Sequence, residues 1–149
     1  FRSMARWYEN LFPVLEELHI GYVAFSPLAN GFLSGKYDKF SRFEAGTDYR
    51  SVRPQFQPEN IDRNRDLLAL LQELAQQKNA TPAQISLAWM LCKKPYIVPI
   101  PGTRKLNRLT ENAGAADVTL SDEEVSAIDR ALDSMEMSEV FGGSKIVSK

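Results

Sequence analysis

Two short apolar runs constrain this chain more than any other feature. Tyr22-Val23-Ala24-Phe25 and Tyr96-Ile97-Val98-Pro99-Ile100 are its clear strand candidates, although Pro99 removes a ladder donor. The first run is apolar without alternation, which suits a strand buried on both faces of a parallel sheet. The order helix, strand, loop, helix, helix, strand, helix, helix is the grammar of βα units. A parallel pair alone would leave both of its edges unpaired. Two readings stay open on pattern alone. One is an α/β chain that forms part of a larger barrel or sheet. The other is a mostly helical domain with a small two-stranded element.

The helices are read from spacing and caps. Glu9 to Leu18 places Leu11, Val14, Leu15 and Leu18 on one stripe, with Gly21 as a stop. Ile61 to Lys78 does the same with Leu67, Leu70, Leu71, Leu74 and Ala75, and Asn79 ends it. Thr81-Pro82-Ala83-Gln84 is a capping box with proline at the first helical position. The helix it opens, Pro82 to Cys92, is apolar nearly all round, so it is expected buried, with Trp89 and Cys92 in the core. A helix from about Lys105 to Ala115 is expected to turn Leu106, Leu109 and Ala113 inward. Ser121 to Glu124 is a second capping box, opening a helix with Val125, Ile128, Leu132 and Met135 on one face. The polar tail from Gly142 to Lys149 is expected to fray.

Between the first strand and the second helix, residues 26–60 form a long irregular stretch. Phe32, Tyr37, Phe40, Phe43, Tyr49 and Phe56 alternate there with Lys36, Lys39, Arg42, Arg50 and Arg53. A disordered linker would hold fewer aromatics, and long loops in compact domains are often functional. A folded flap is expected.

Composition excludes several classes. The 149 residues carry 18 basic and 19 acidic side chains, so no global field points to nucleic acid, and any anion site is local. One cysteine, Cys92, excludes an internal disulfide and a cysteine-based zinc cluster, and one histidine, His19, excludes a two-histidine metal motif. No metal site and no membrane span are expected, since no apolar run reaches about 18 residues. Phe1-Arg2-Ser3-Met4 shows no signal-peptide pattern, which fits a cytoplasmic protein. The missing initiator methionine hints that the chain does not begin where its gene does.

Two constellations could carry chemistry. Phe25-Ser26-Pro27-Leu28-Ala29-Asn30-Gly31 follows the first strand directly. Ligands of α/β folds bind at the carboxyl ends of strands. Ser26 offers a hydroxyl, Phe25 an aromatic face, and the small residues let a backbone approach a ligand. An ordinary strand-to-loop turn is the alternative. The second constellation, Pro101 to Arg108, follows the second strand and opens a helix, whose free N–H groups and dipole attract an anion. Thr103 adds a hydroxyl, and Arg104, Lys105 and Arg108 add three cations. One turn on, Glu111 and Asn112 can hydrogen-bond an amino-purine edge or a ribose. A solvated basic helix start is the alternative. Neither a G-x-G-x-x-G fingerprint nor a G-x-x-x-x-G-K-[ST] loop occurs.

Together these segments resemble the aldo/keto reductases. Ile20 to Tyr37 is similar to the loop after that family's seventh barrel strand. Val98 to Arg104, with Arg108, Glu111 and Asn112, is similar to its eighth-strand nucleotide site. Thr81 to Trp89 resembles the helix between them, and the branch with bacterial reductases and the potassium-channel β subunits is the nearest. The resemblance implies the C-terminal portion of a (β/α)8 TIM barrel, incomplete in this chain. Residues 1–149 would be the C-terminal half of a single barrel domain, with a long cofactor loop at about 26–60. It implies NADP(H) as cofactor and a small-molecule carbonyl substrate, reduced to an alcohol. Phe25 would stack on the nicotinamide. Ser26, Pro27, Leu28, Ala29, Asn30 and Gly31 would line the pyrophosphate, with Lys36 and Arg50 reaching over it. Gly102, Thr103, Arg104 and Arg108 would hold the 2′-phosphate, and Glu111 and Asn112 the adenine. Many members carry lysine where Gly102 stands, which shifts phosphate binding toward Arg104 and Arg108. The family's catalytic Asp, Tyr, Lys and His have no matching positions here. No catalytic residue is therefore expected in this chain, and the N-terminal half of the same barrel is its expected partner. A non-catalytic NADP(H)-binding regulatory module and a helical interaction domain are the competing readings.

Overall fold

The computed structural model describes residues 6–133. The expectations for Phe1 to Met4, Met135 and the tail from Gly142 to Lys149 lie outside the described residues. A 3-10 segment, Arg6–Leu11, leads into α1 (Phe12–Glu17), followed by β1 (Tyr22–Phe25). The long loop then contains three short 3-10 turns and ends at α2 (Pro58–Arg63). α3 (Arg65–Gln77), α4 (Pro82–Lys93), β2 (Ile97–Ile100), α5 (Leu106–Ala113) and α6 (Asp122–Asp133) complete the order.

β1 and β2 pair in parallel, with Tyr22 opposite Ile97, Val23 opposite Val98, Ala24 opposite Pro99 and Phe25 opposite Ile100. Both expected strands are present, Pro99 included. Their burial differs from expectation. Ala24 and Ile97 are buried on the face that the helices cover. The opposite face carries Val23, Phe25, Val98 and Ile100, which are 61%, 49%, 55% and 51% exposed. Side chains alternate across a sheet, so these four form one apolar surface. No described element covers it.

α4 is the centre of the core. Ile85, Ala88, Trp89 and Met90 are fully buried, and Leu67 and Leu71 of α3 and Ile128 and Leu132 of α6 join the same cluster. The Thr81–Gln84 capping box forms in both directions at its start. Trp89 Nε1 donates to Asp129 Oδ1 at 3.0 Å. Lys93 Nζ lies 2.8 Å from Asp129 and 3.1 Å from Glu9, which ties the leading 3-10 segment and α6 to α4. The Ser121–Glu124 box also forms, with bonds of 2.7 and 3.3 Å.

Several local expectations are corrected. His19, not Gly21, takes the left-handed turn that ends α1, with φ +52°. Its N–H and that of Ile20 close the last turn onto Glu16 and Leu15. Only Phe12 of α1 is buried, while Leu11, Val14 and Leu18 stay exposed. The helix expected over Ile61 to Lys78 is two helices broken at Asn64. That buried residue turns its amide back to donate to the Asn60 carbonyl at 2.6 Å, and its ψ of 6° lies outside the helical range. Cys92 is exposed, as is its neighbour Leu91 on α4. Leu106, Leu109 and Ala113 of α5 are exposed too, and its half-buried residues are Glu111 and Asn112.

The loop after β1 is folded around aromatic rings. Phe43 and Phe56 meet edge-to-face at 5.0 Å, Tyr37 meets both, and Phe32 meets Phe56 at 5.8 Å. Phe32 and Leu33 are fully buried and anchor this cluster in the main core.

Candidate functional site

A cavity of about 650 Å³ lies where the loop after β1, the turn at 48–50 and the β2–α5 turn converge. It sits beyond the carboxyl ends of both strands, the end at which α/β folds place ligands. Of the sequence-predicted residues, Ser26, Leu28, Asn30, Gly31, Lys36 and Arg50 line it from the loop side. Gly102, Thr103, Arg108, Glu111 and Asn112 line it from the other. Phe25, Pro27, Ala29 and Arg104 do not. Phe25 projects from the open sheet face, Pro27 and Ala29 are buried beneath the wall, and Arg104 is exposed in the turn.

The wall after β1 is conformationally unusual. Ser26, Ala29 and Asn30 hold φ values of +51°, +49° and +59°, in the left-handed region that side chains disfavour. Such positions persist where surrounding structure over-determines them, and they concentrate at ligand sites. Here Phe32 and Leu33, locked in the core, supply the anchor. Gly31 follows at φ +91° with Tyr37 directly against it, so a side chain there would be both strained and crowded.

Across the cavity, α5 begins without a capping side chain and without an acid in its first turn. Thr103 Oγ1 instead accepts the Lys105 N–H at 3.1 Å, which fixes the turn. Lys105 and Arg108 bring this electropositive end of the helix to the cavity wall, with the Arg108 N–H donating to Asn107 Oδ1 at 2.9 Å. Arg108 pairs with Glu111 one turn along. Gly102 has no atom within 4 Å of where a Cβ would stand.

Four cations and two carboxylates share the wall. Lys36 and Lys105 have no carboxylate partner among the described residues, whereas Arg108 pairs with Glu111 and Arg50 with Asp48. The Arg50 side chain and N–H hold the Asp48 carboxyl well below the usual range, at about 2, and the same contact raises the Arg50 pKa. Arg50 also donates to the Tyr37 hydroxyl and lies 4.8 Å from the Phe43 ring. Ser34, Tyr37, Asp48, Tyr49, Ala83 and Lys105 complete the wall and were not among the predicted site residues. Lys105 had a signal, as one of the cations at the helix start. Asp48 had a weaker one, as an acid just before an arginine in a turn. The arrangement suits a long, polar, multiply anionic ligand.

Residues 3–133 match the family model described as "Aldo/keto reductase family". The chain is 39% identical over 127 residues to aldo-keto reductase str7 of Strobilurus tenacellus. It is 41% identical over 121 residues to aldo-keto reductase yakc [NADP(+)] of Schizosaccharomyces pombe, and 37% over 135 residues to probable aldo-keto reductase 1 of Glycine max. These matches cover 85%, 81% and 91% of the chain but only 38%, 35% and 38% of the relatives, so the chain spans little more than a third of their length. Among solved structures, the glycerol dehydrogenase AKR11B4 from Gluconobacter oxydans superposes with a TM-score of 0.74 at 23% identity, covering 95% of this chain and 41% of that one. The thermostable aldo-keto reductase Tm1743, in complex with the inhibitor epalrestat, superposes with a TM-score of 0.59 at 25% identity, covering 86% of this chain and 36% of that one.

Proposed function

Since the chain belongs to the aldo/keto reductase family, we propose that it supplies the NADP(H)-binding part of an oxidoreductase that reduces aldehydes or ketones to alcohols. Its fold is part of a (β/α)8 barrel, in which β1 and β2 are neighbouring strands and α4 packs against their outer face. The proposal makes residues 1–149 the C-terminal half of one barrel domain, acting in the cytoplasm. The N-terminal half of that barrel would cover the open sheet face of Val23, Phe25, Val98 and Ile100, because barrel interiors are packed with side chains from all strands.

One observation carries this reading. The cavity at the strand ends combines Lys36, Arg50, Lys105 and Arg108 with an uncapped helix start. A dinucleotide with three phosphate groups needs that chemistry. In this account Ser26, Leu28, Asn30, Gly31 and Lys36 hold the pyrophosphate, with Pro27 and Ala29 shaping the wall beneath and Arg50 closing over it. Gly102, Thr103, Arg104 and Arg108 hold the 2′-phosphate, while Glu111 and Asn112 bond the adenine. Phe25, half exposed at the end of β1, offers its ring to the nicotinamide. Bound NADPH supplies the hydride for the carbonyl carbon. This chain's residues bind and orient the cofactor. The proton donor and the rest of the substrate wall come from the N-terminal half.

The test is a pair of measurements on the 149-residue chain and on the complete gene product. Both are titrated with NADPH and assayed for hydride transfer to simple aldehydes. The expected result is NADPH binding by both and turnover by the complete protein alone. Failure of the complete protein to bind NADPH would overturn the reading, and turnover by the 149-residue chain would overturn its division of labour.

A further inference from the structure

The contact between Asp48 and Arg50 has a consequence for ligand binding. Arg50 Nε donates to Asp48 Oδ1 and Oδ2 at 2.8 and 3.1 Å, and Nη2 donates to Oδ2 as well. This is the edge of the guanidinium that would grip a phosphate through two parallel bonds. Nη1 donates to the Tyr37 hydroxyl. A phosphate can take the Nε–Nη2 edge only when the carboxylate leaves it.

We propose that Asp48 and a phosphate group of the dinucleotide compete for one partner, the Arg50 guanidinium, so that binding exchanges the carboxylate for the phosphate. The inference rests on the NADP(H) reading of the cavity. Three features make the exchange feasible. Asp48 keeps a partner when it lets go, because its Oδ1 also accepts the Arg50 N–H at 2.9 Å. Its side chain is 24% exposed and that of Arg50 31%, so water can replace the lost bonds. The guanidinium, meanwhile, stays on the wall, held 5.0 Å from the Tyr37 ring and 4.8 Å from the Phe43 ring. Lys36 and Lys105, with no carboxylate partner among the described residues, attract the incoming anion before the exchange. A competing carboxylate weakens binding, whereas one that merely orients Arg50 strengthens it, so the two roles differ in sign.

The experiment is an NADPH titration of the complete gene product, unaltered and as Asp48→Asn, Asp48→Ser, Arg50→Met and Asp48→Asn/Arg50→Met. Thermal midpoints are measured alongside. Serine keeps an oxygen for the Arg50 N–H and serves if the asparagine variant does not fold. Competition makes Asp48→Asn bind NADPH about fivefold more tightly, the size of a partly exposed ion pair. It also makes that gain vanish in the Arg50→Met background. Weaker or unchanged binding in both Asp48 variants would overturn the proposal, and so would a gain that persists without Arg50. No binding by the unaltered protein would overturn the cofactor reading as well, which separates the two failures.

Discussion

Trp89 and Asp129 are joined across the core by an indole N–H to carboxylate bond of 3.0 Å, and the same carboxylate takes Lys93 at 2.8 Å. One acid on α6 thereby satisfies two groups on α4. Asp129→Ala is expected to lower stability by about 2–3 kcal/mol, because it leaves a buried N–H and a half-buried ammonium underpaired. Urea unfolding followed by tryptophan fluorescence checks this. A loss within experimental error would mean that water replaces the carboxylate freely.

The Asp48–Arg50 contact should give the loop an acid limit. The Asp48 pKa is depressed to about 2. A depressed carboxyl stabilises above its unfolded value, near 4, and loses that contribution as pH falls toward its folded value. Protection of the amides in residues 37–56, measured against their intrinsic exchange rates, is therefore expected to be full at pH 5 and to fall between about pH 4 and pH 2. Asp48→Asn should flatten that transition relative to the unaltered chain, and an identical profile in both would contradict the assignment.

Gly102 offers a gain-of-function test. Nothing stands within 4 Å of a Cβ there, and the residue lines the cavity beside Thr103. Gly102→Lys is expected to tighten NADPH binding by about threefold to tenfold, with the gain fading at high salt as exposed charges are screened. Titrations at two ionic strengths measure it. A gain that did not depend on salt would point to packing rather than charge.

The open sheet face predicts association. Val23, Phe25, Val98 and Ile100 present adjoining apolar side chains, and β1 and β2 are the whole of the described sheet. Exposed apolar patches and bare strand edges drive self-association. The 149-residue chain by itself is expected to bind a hydrophobic dye and to sediment as mixed oligomers. Val23→Thr/Val98→Thr should reduce both signals, whereas a dye-silent monomer would remove the need for a covering half.

Local signals were legible in the residues, and tertiary ones were not. The two capping boxes at Thr81 and Ser121 and the two strand segments follow from near-neighbour chemistry, so they appear where spacing placed them. The break at Asn64 depends on a side chain turning back to a carbonyl inside an unbroken apolar stripe, which periodicity cannot register. The outward turn of Leu106 and Leu109 has a similar origin. Their spacing suggested a core face, but α5 lies at the cavity and half-buries Glu111 and Asn112 instead. The cations at the start of α5 were visible as a cluster. Tyr37 and Asp48 reach the wall only because the aromatic cluster folds the loop back, so their place could not be read from spacing.

We propose that this cavity holds a dinucleotide by its 2′-phosphate, with Arg108 as one of its grips. The most direct measurement compares dissociation constants for NADPH and NADH in the complete gene product, unaltered and as Arg108→Ala. The expected result is a loss of at least about tenfold for NADPH, the size of a charge-assisted bond, with NADH nearly unchanged. Equal losses for the two cofactors, or none for either, would contradict the account.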